Sequence, residues 1–189
     1  MLHFFTKQSK SRFIEGVSKV RGFYWVIEGL LAGCPRPGGR SRGNPFDGKT
    51  EALAEDDRRL DDDLAWLEEQ GIGALLSLTE TPLTAEALAK HDLAVLHIPV
   101  PDMTPPSTGQ LIQALEFIDE QHALGRAVVV HCLMGQGRTG TVLAAYLIRG
   151  GASPAEALRQ IRAVCMGAVE SPSQERALYA FAERRDWIV

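Results

Sequence analysis

The stretch that most constrains this chain runs from Val128 to Thr141, Val-Val-Val-His-Cys-Leu-Met-Gly-Gln-Gly-Arg-Thr-Gly-Thr. An apolar, β-branched run enters it, and the helical pattern from Thr141 to Ile148 leaves it, so it reads as a buried strand, a glycine-bearing loop and a helix N-terminus in that order. A loop of this kind turns backbone N–H groups inward. The helix end adds partial positive charge, and the result is a cradle for a phosphate-sized anion. Cys132 stands at the start of the loop and Arg138 at its end. A thiolate at the base of an anion site and a guanidinium at its rim predict nucleophilic attack on phosphorus.

The expected chemistry follows from those residue types. Loop amides, the helix N-terminus and Arg138 all favour the thiolate form of Cys132. Attack on a bound phosphomonoester then gives a phosphocysteine and divides hydrolysis into two easier steps. Phosphoryl transfer spreads charge over equatorial oxygens, which loop amides from Leu133 through Gly137 and the planar fork of Arg138 match better than a lysine would. Gly135, Gly137 and Gly140 are expected where the backbone is tight or has positive φ. Thr139 is placed to hydrogen-bond the sulfur; its plainer role is a helix N-cap, and the two are compatible. The departing oxygen needs a proton, for which Asp102, on a proline-rich loop upstream, is the candidate; the plainer reading is a turn former. His131 is expected to order the loop by hydrogen bonding. No metal or other cofactor is expected, because Arg138 and the amides supply the positive charge.

Around this motif the chain alternates strand and helix patterns. Residues 1–21 read as an N-terminal arm in which Phe13, Val17 and Val20 share one helical face, and residues 22–189 as a single domain. Phe23–Ile27 and Leu30–Gly33 read as two short strands around a turn. Residues 34–49, rich in Pro, Gly and Arg, read as an inserted loop. That loop holds a decoy, Cys34 and Arg40 at the same Cys-x5-Arg spacing, but Pro35 and Pro37 remove donors that a phosphate cradle needs and no helix pattern follows. A helix over residues 51–70 carries Leu53, Leu60, Leu64 and Leu67 and stops at Gly71. Its acidic run, Asp56-Asp57 and Asp61–Asp63, is expected to be a solvated face. Strands are expected at Ala74–Leu78 and Ala94–Ile98, a short helix at Thr84–Lys90, and helices opening at Ser107 with Gln110, Ser153 with Glu156, and Ser171 with Gln174. Strands alternating with helices, then helices alone, predict an α/β fold: a small, mostly parallel central sheet of four or five strands flanked by helices, with the phosphate loop at a strand's carboxyl end.

The remaining composition narrows the class. A net charge of −4 argues against a nucleic-acid partner. No apolar run reaches membrane-spanning length. The basic N-terminal residues enclose no continuous apolar segment of the kind a secretory signal requires. Three widely spaced cysteines fit reduced thiols in a cytoplasm.

With these residues in view, His131-Cys132-x5-Arg138-Thr139-Gly140 resembles the signature of the cysteine-dependent protein tyrosine phosphatases. The fuller string, with Trp25-Val-Ile-x-Gly29-x-Leu-Ala-Gly33 upstream, is similar to the small atypical dual-specificity phosphatases of the VHZ type. Pro101-Asp102 before Pro105-Pro106 resembles that group's general-acid loop. The segment from Val169 to Glu175 resembles the part that positions the hydrolytic water, which would give Glu170 a catalytic and Gln174 a binding role. The resemblance spans about Trp25 to Phe181. It implies a phosphoprotein or phosphopeptide substrate carrying phosphotyrosine, with phosphoserine and phosphothreonine as further substrates.

The alternative is a phosphoinositide or another non-protein phosphate, favoured if Arg36, Arg40, Arg42 and Lys49 reach the pocket rim. Leu133, Met134 and Gln136 stand against a highly anionic lipid, since they occupy loop positions where phosphoinositide phosphatases typically carry basic residues. A non-enzymatic phosphate-binding module and a rhodanese-type sulfurtransferase fit the motif less well.

Overall fold

The computed structural model describes residues 20–39 and 52–184. The elements are β1 (Tyr24–Ile27), β2 (Leu31–Cys34), α1 (Ala52–Glu69), β3 (Ile72–Ser77), α2 (Ala85–Leu88), β4 (Ala94–His97), α3 (Thr108–Ala123), β5 (Ala127–His131), α4 (Gly137–Arg149), α5 (Pro154–Val164) and α6 (Pro172–Glu183). The strands form one sheet in the order β1-β2-β5-β3-β4. Only the β1–β2 pair is antiparallel; β2, β5, β3 and β4 run parallel to their neighbours. The α/β expectation therefore holds, with five strands and helices on both faces.

The sheet's alternation divides the core. Leu31, Leu76, Val128 and Val130 face α3, α4, α5 and α6, whereas Ala32, Cys34, Leu75 and Val129 face α1 and α2. The central strand β5 is buried along its whole length. A strand covered on both faces needs apolar side chains at every position, which is why Val128–Val130 reads as a continuous run. On the α1 side, Leu60, Leu64 and Leu67 pack inward, and Phe23 stands edge-on to both Trp25 and Trp66.

Several boundaries differ from expectation. The helix after the phosphate loop starts at Gly137, four positions before its apolar period becomes visible, so Arg138 and Thr139 lie in its first turn and Gln136 is the N-cap. β2 extends to Cys34, which pairs in register with His131 of β5. Cys34 is thus a buried strand residue, not part of a loop. The acidic stretch of α1 is more than a solvated face: Asp61 pairs with Lys90 at 3.3 Å and with His91 at 3.3 Å, and Asp63 accepts from the Gly38 amide at 2.8 Å. All three expected serine caps are present as complete capping boxes, at Ser107, Ser153 and Ser171. The arm up to residue 19, the side chains of Leu53, Asp56 and Asp57, and Arg40, Arg42 and Lys49 lie outside the described residues. Among the described residues no helix is long and apolar enough to cross a membrane.

Candidate active site

β5 delivers Cys132 at the carboxyl edge of the sheet, and the chain turns through Leu133–Gln136 into α4. What shapes this turn is the way its carbonyls are tied. The Cys132 carbonyl accepts from His131 Nδ1 at 3.3 Å. The Leu133 carbonyl accepts from the Arg36 amide at 3.2 Å. The Gly135 carbonyl accepts from the Tyr24 hydroxyl at 2.8 Å. The Gln136 carbonyl takes the amides of Gly140 and Val169, and the Gly137 carbonyl takes the Thr141 hydroxyl at 2.8 Å. In a trans peptide the N–H points opposite to the C=O. Tying these carbonyls to the frame turns the amides of Leu133, Met134, Gln136, Gly137 and Arg138 away from it, toward the space at the end of α4, where the helix contributes its own partial charge.

The side chains fill this frame in order. Cys132 is buried at 2% exposure. Thr139 is wholly buried, and its hydroxyl has no hydrogen-bond partner among the described residues. Arg138 is buried at 3% exposure, donates from Nη1 to the Val100 carbonyl at 2.8 Å and pairs through Nη2 with Asp102 Oδ1 at 2.7 Å. The loop that carries Asp102 thus comes to the rim of the cradle, and Arg138 itself holds it there. Leu133 and Met134 are half exposed at the mouth.

The start of α6 closes the far side. A Cβ on Gly137 would stand 2.5 Å from Glu170 Oε2 and 2.9 Å from Gln174 Nε2, so only glycine admits both side chains against the loop. Gly140 likewise faces Ala168, and Gly135 has φ +72. The expected crowding and positive φ are both present. Gln174 is completely buried and donates to the Thr104 carbonyl at 3.3 Å.

This environment shifts several titratable groups, His131 and Cys34 among them. His131 is fully enclosed, and burial, with the Arg36 and Arg138 guanidinium groups nearby, pushes its pKa down to about 3. It stays neutral, with Nδ1–H donating to the Cys132 carbonyl and Nε2 without a partner among the described residues. Burial raises the Cys34 thiol well above the ordinary range, with Cys132 adding to the effect. That environment keeps Cys34 protonated and suits a structural thiol.

Tyr24 had no sequence signal, and Arg36 was expected only as a rim residue. Tyr24 reaches the loop because its ring lies over Gly33, its β2 partner, where a Cβ would stand 2.4 Å from the ring. Arg36 spends its guanidinium on Thr79 Oγ1, the Thr81 carbonyl and the Pro82 carbonyl. Its donors serve the fold, not the pocket rim.

Comparison with known proteins places this arrangement. A family model described as a polymorphic toxin system DSP-PTPase phosphatase matches residues 52–152. The chain belongs to this family. It is a small dual-specificity-type phosphatase of the cysteine-dependent protein tyrosine phosphatase superfamily. Among solved structures, this phosphatase resembles Tk-PTP in its active form, with 30% identity, a TM-score of 0.69, and coverage of 87% of this chain and 98% of that one. Among curated proteins it is 34% identical over 100 residues to mouse "Phosphatidylglycerophosphatase and protein-tyrosine phosphatase 1", covering 52% of each. It is also 29% identical over 125 residues to Arabidopsis thaliana "Phosphatidylglycerophosphate phosphatase PTPMT2", covering 64% of this chain and 55% of that protein. The phosphatase spans between 52% and 63% of the length of these and a similar Methanocaldococcus jannaschii protein.

Proposed function

We propose that this phosphatase hydrolyses phosphomonoesters on proteins, phosphotyrosine foremost and phosphoserine or phosphothreonine besides, through a phosphocysteine on Cys132. The observation that carries the reading is the convergence of three groups on one loop: Cys132 at its base, Arg138 in its first helical turn, and Asp102 held 2.7 Å from that arginine. When a substrate phosphate enters, its equatorial oxygens take over the Arg138 guanidinium and the loop amides. Asp102, freed from the ion pair, takes up a proton from solvent and is set to protonate the leaving oxygen. The Cys132 Sγ–P bond forms as the P–O bond breaks, and the Asp102 proton goes to the departing alcohol or phenol. In the second step water attacks phosphorus, the S–P bond breaks, and the water's proton returns to Asp102. Glu170 and Gln174, against Gly137, hold that water, and the unpartnered Thr139 hydroxyl stabilises the leaving thiolate. Each of these steps is supplied by the chain's own residues. Three free thiols, Cys34, Cys132 and Cys165, suit a reducing compartment, and we place the enzyme in the cytoplasm.

A second reading is a lipid phosphomonoester of the phosphatidylglycerophosphate kind. It is favoured by the names of the mouse and Arabidopsis relatives and by the half-exposed, uncharged Leu133 and Met134 at the mouth. A highly anionic phosphoinositide is less suited, because Arg36 is already committed to Thr79, Thr81 and Pro82. The test is hydrolysis of a tyrosine, serine and threonine phosphopeptide panel against micellar phosphatidylglycerophosphate, with Cys132→Ser as the control. Phosphotyrosine peptides are expected to give the highest kcat/KM. Turnover of the lipid alone would overturn the protein reading in favour of the second.

A further inference from the structure

We infer that Ser171 is a positioning residue whose hydroxyl holds the acid loop against the start of α6, setting Asp102 and the Glu170–Gln174 segment in one frame. This rests on the reading of Asp102 as proton donor. Two non-glycine residues with positive φ are found among the described residues, Met103 at 58° and Val169 at 59°. The left-handed region is unfavourable for any L side chain and most of all for a β-branched one. Such strain persists only where the surroundings impose it. Met103 directly follows Asp102 and Val169 directly precedes Glu170. The two kinks therefore flank the two carboxylates assigned to the reaction.

Both kinks are held by named bonds. The Val169 amide donates to the Gln136 carbonyl of the phosphate loop at 3.3 Å. Arg162 donates to the Ala168 and Val169 carbonyls at 3.3 and 3.4 Å and pairs with Glu175 at 3.0 Å. The Met103 carbonyl accepts from Ser171 Oγ at 3.3 Å. The next carbonyl, of Thr104, accepts from Gln174 Nε2 at 3.3 Å.

Ser171 does more than cap α6. A hydroxyl has one proton and two acceptor sites. The Gln174 amide donates to its oxygen at 3.2 Å, and Ser173 Oγ lies 2.8 Å away. With those two groups as donors to it, the Ser171 proton is directed to the Met103 carbonyl, and all its bonding capacity is used. Ser107 and Ser153 complete the same capping box within their own helices; the Ser171 hydroxyl also bonds a segment 68 residues away. The consequence is for the moment when phosphate claims Arg138. The Arg138–Asp102 pair is then exchanged for phosphate contacts, while the Ser171–Met103 bond stays in place and keeps Asp102 at the leaving oxygen.

The test compares Ser171→Asp and Ser171→Thr on an alkyl phosphate and on an aryl phosphate with an acidic leaving group, with Asp102→Asn measured alongside. Aspartate still caps the helix by accepting from Gln174, but it has no proton to give to Met103; threonine keeps both functions. The thermal midpoint of Ser171→Asp should stay near wild type. Its kcat/KM on the alkyl phosphate, which reports the leaving-group step alone, should fall about 10-fold or more, a part of the 10²–10⁴ range expected for general-acid loss. Its kcat/KM on the aryl phosphate should change only slightly, and Ser171→Thr should behave as wild type. Ser171→Gly, which also caps at little cost and lacks the donor, gives the same comparison if the Asp variant does not fold. Equal losses on both leaving groups, or no loss at all, while Asp102→Asn retains its leaving-group dependence, would overturn the role of Ser171 alone. If Asp102→Asn itself shows no such dependence, the reading of Asp102 as the acid falls and the inference about Ser171 falls with it.

Discussion

At the scale of single residues, Arg138 is asked to do three things. It bonds the Val100 carbonyl, pairs with Asp102 and, on the proposed reading, clamps phosphate. A lysine retains the charge but replaces a rigid planar fork with one compact ammonium, which cannot keep the Val100 bond and span two phosphate oxygens together. Arg138→Lys is expected to lower kcat by about 10²-fold or more, the scale of losing one preorganised transition-state donor. Turnover within a few-fold of wild type would remove Arg138 from the reacting phosphate. On the proposed reading Asp102 makes a different demand, because only a poor leaving group needs its proton. Asp102→Asn should slow alkyl phosphates by about 10²–10⁴-fold and aryl phosphates with acidic leaving groups far less, as measured across a leaving-group series.

At the scale of elements, the junction of β5 with the phosphate loop carries a pH-dependent contribution to stability. The folded chain protonates His131 only near pH 3, because the site is buried and surrounded by positive charge, against 6.5 for the free side chain. Between those values the unfolded state binds more protons, so stability falls as pH falls through that window, by about 1.4 kcal/mol per pH unit. Denaturant unfolding of wild type and His131→Asn from pH 7 down to pH 4 should show a shallower decline in the variant. Parallel declines would mean that another group dominates. The junction also shows how far the sequence can be read. The strand, the loop and a following helix were legible because Val128–Val130 is continuously apolar and Thr141–Ile148 has helical period. The true start of α4 at Gly137 was hidden, since Gly-Arg-Thr-Gly carries functional groups and close packing in place of an apolar stripe. Cys34 read as loop because two prolines follow nearby, whereas pairing with His131 extends the strand to it. The left-handed kinks at Met103 and Val169 had no glycine to announce them. The tethers from Tyr24, Arg36 and Ser171 join residues far apart in sequence, and no local pattern encodes them.

At the scale of the whole molecule, the sheet order places β5 at the centre, and everything that touches the phosphate loop arrives from a different part of the chain. Tyr24 comes from β1, Arg36 from beyond β2, Asp102 from the loop after β4, and Glu170 and Gln174 from the start of α6. The cradle is thus a property of the complete domain, although Cys132, Arg138 and the loop amides lie within one short motif. The family membership accounts for the scaffold, and the proposed chemistry rests on a covalent intermediate at a single atom of it. The direct measurement is rapid acid quench of the enzyme with a phosphorylated substrate in the pre-steady state, followed by peptide mapping. The account predicts phosphate on the peptide containing Cys132, absent from Cys132→Ser and unaffected by Cys34→Ser. Phosphate on another residue, or full turnover by Cys132→Ser, would contradict it.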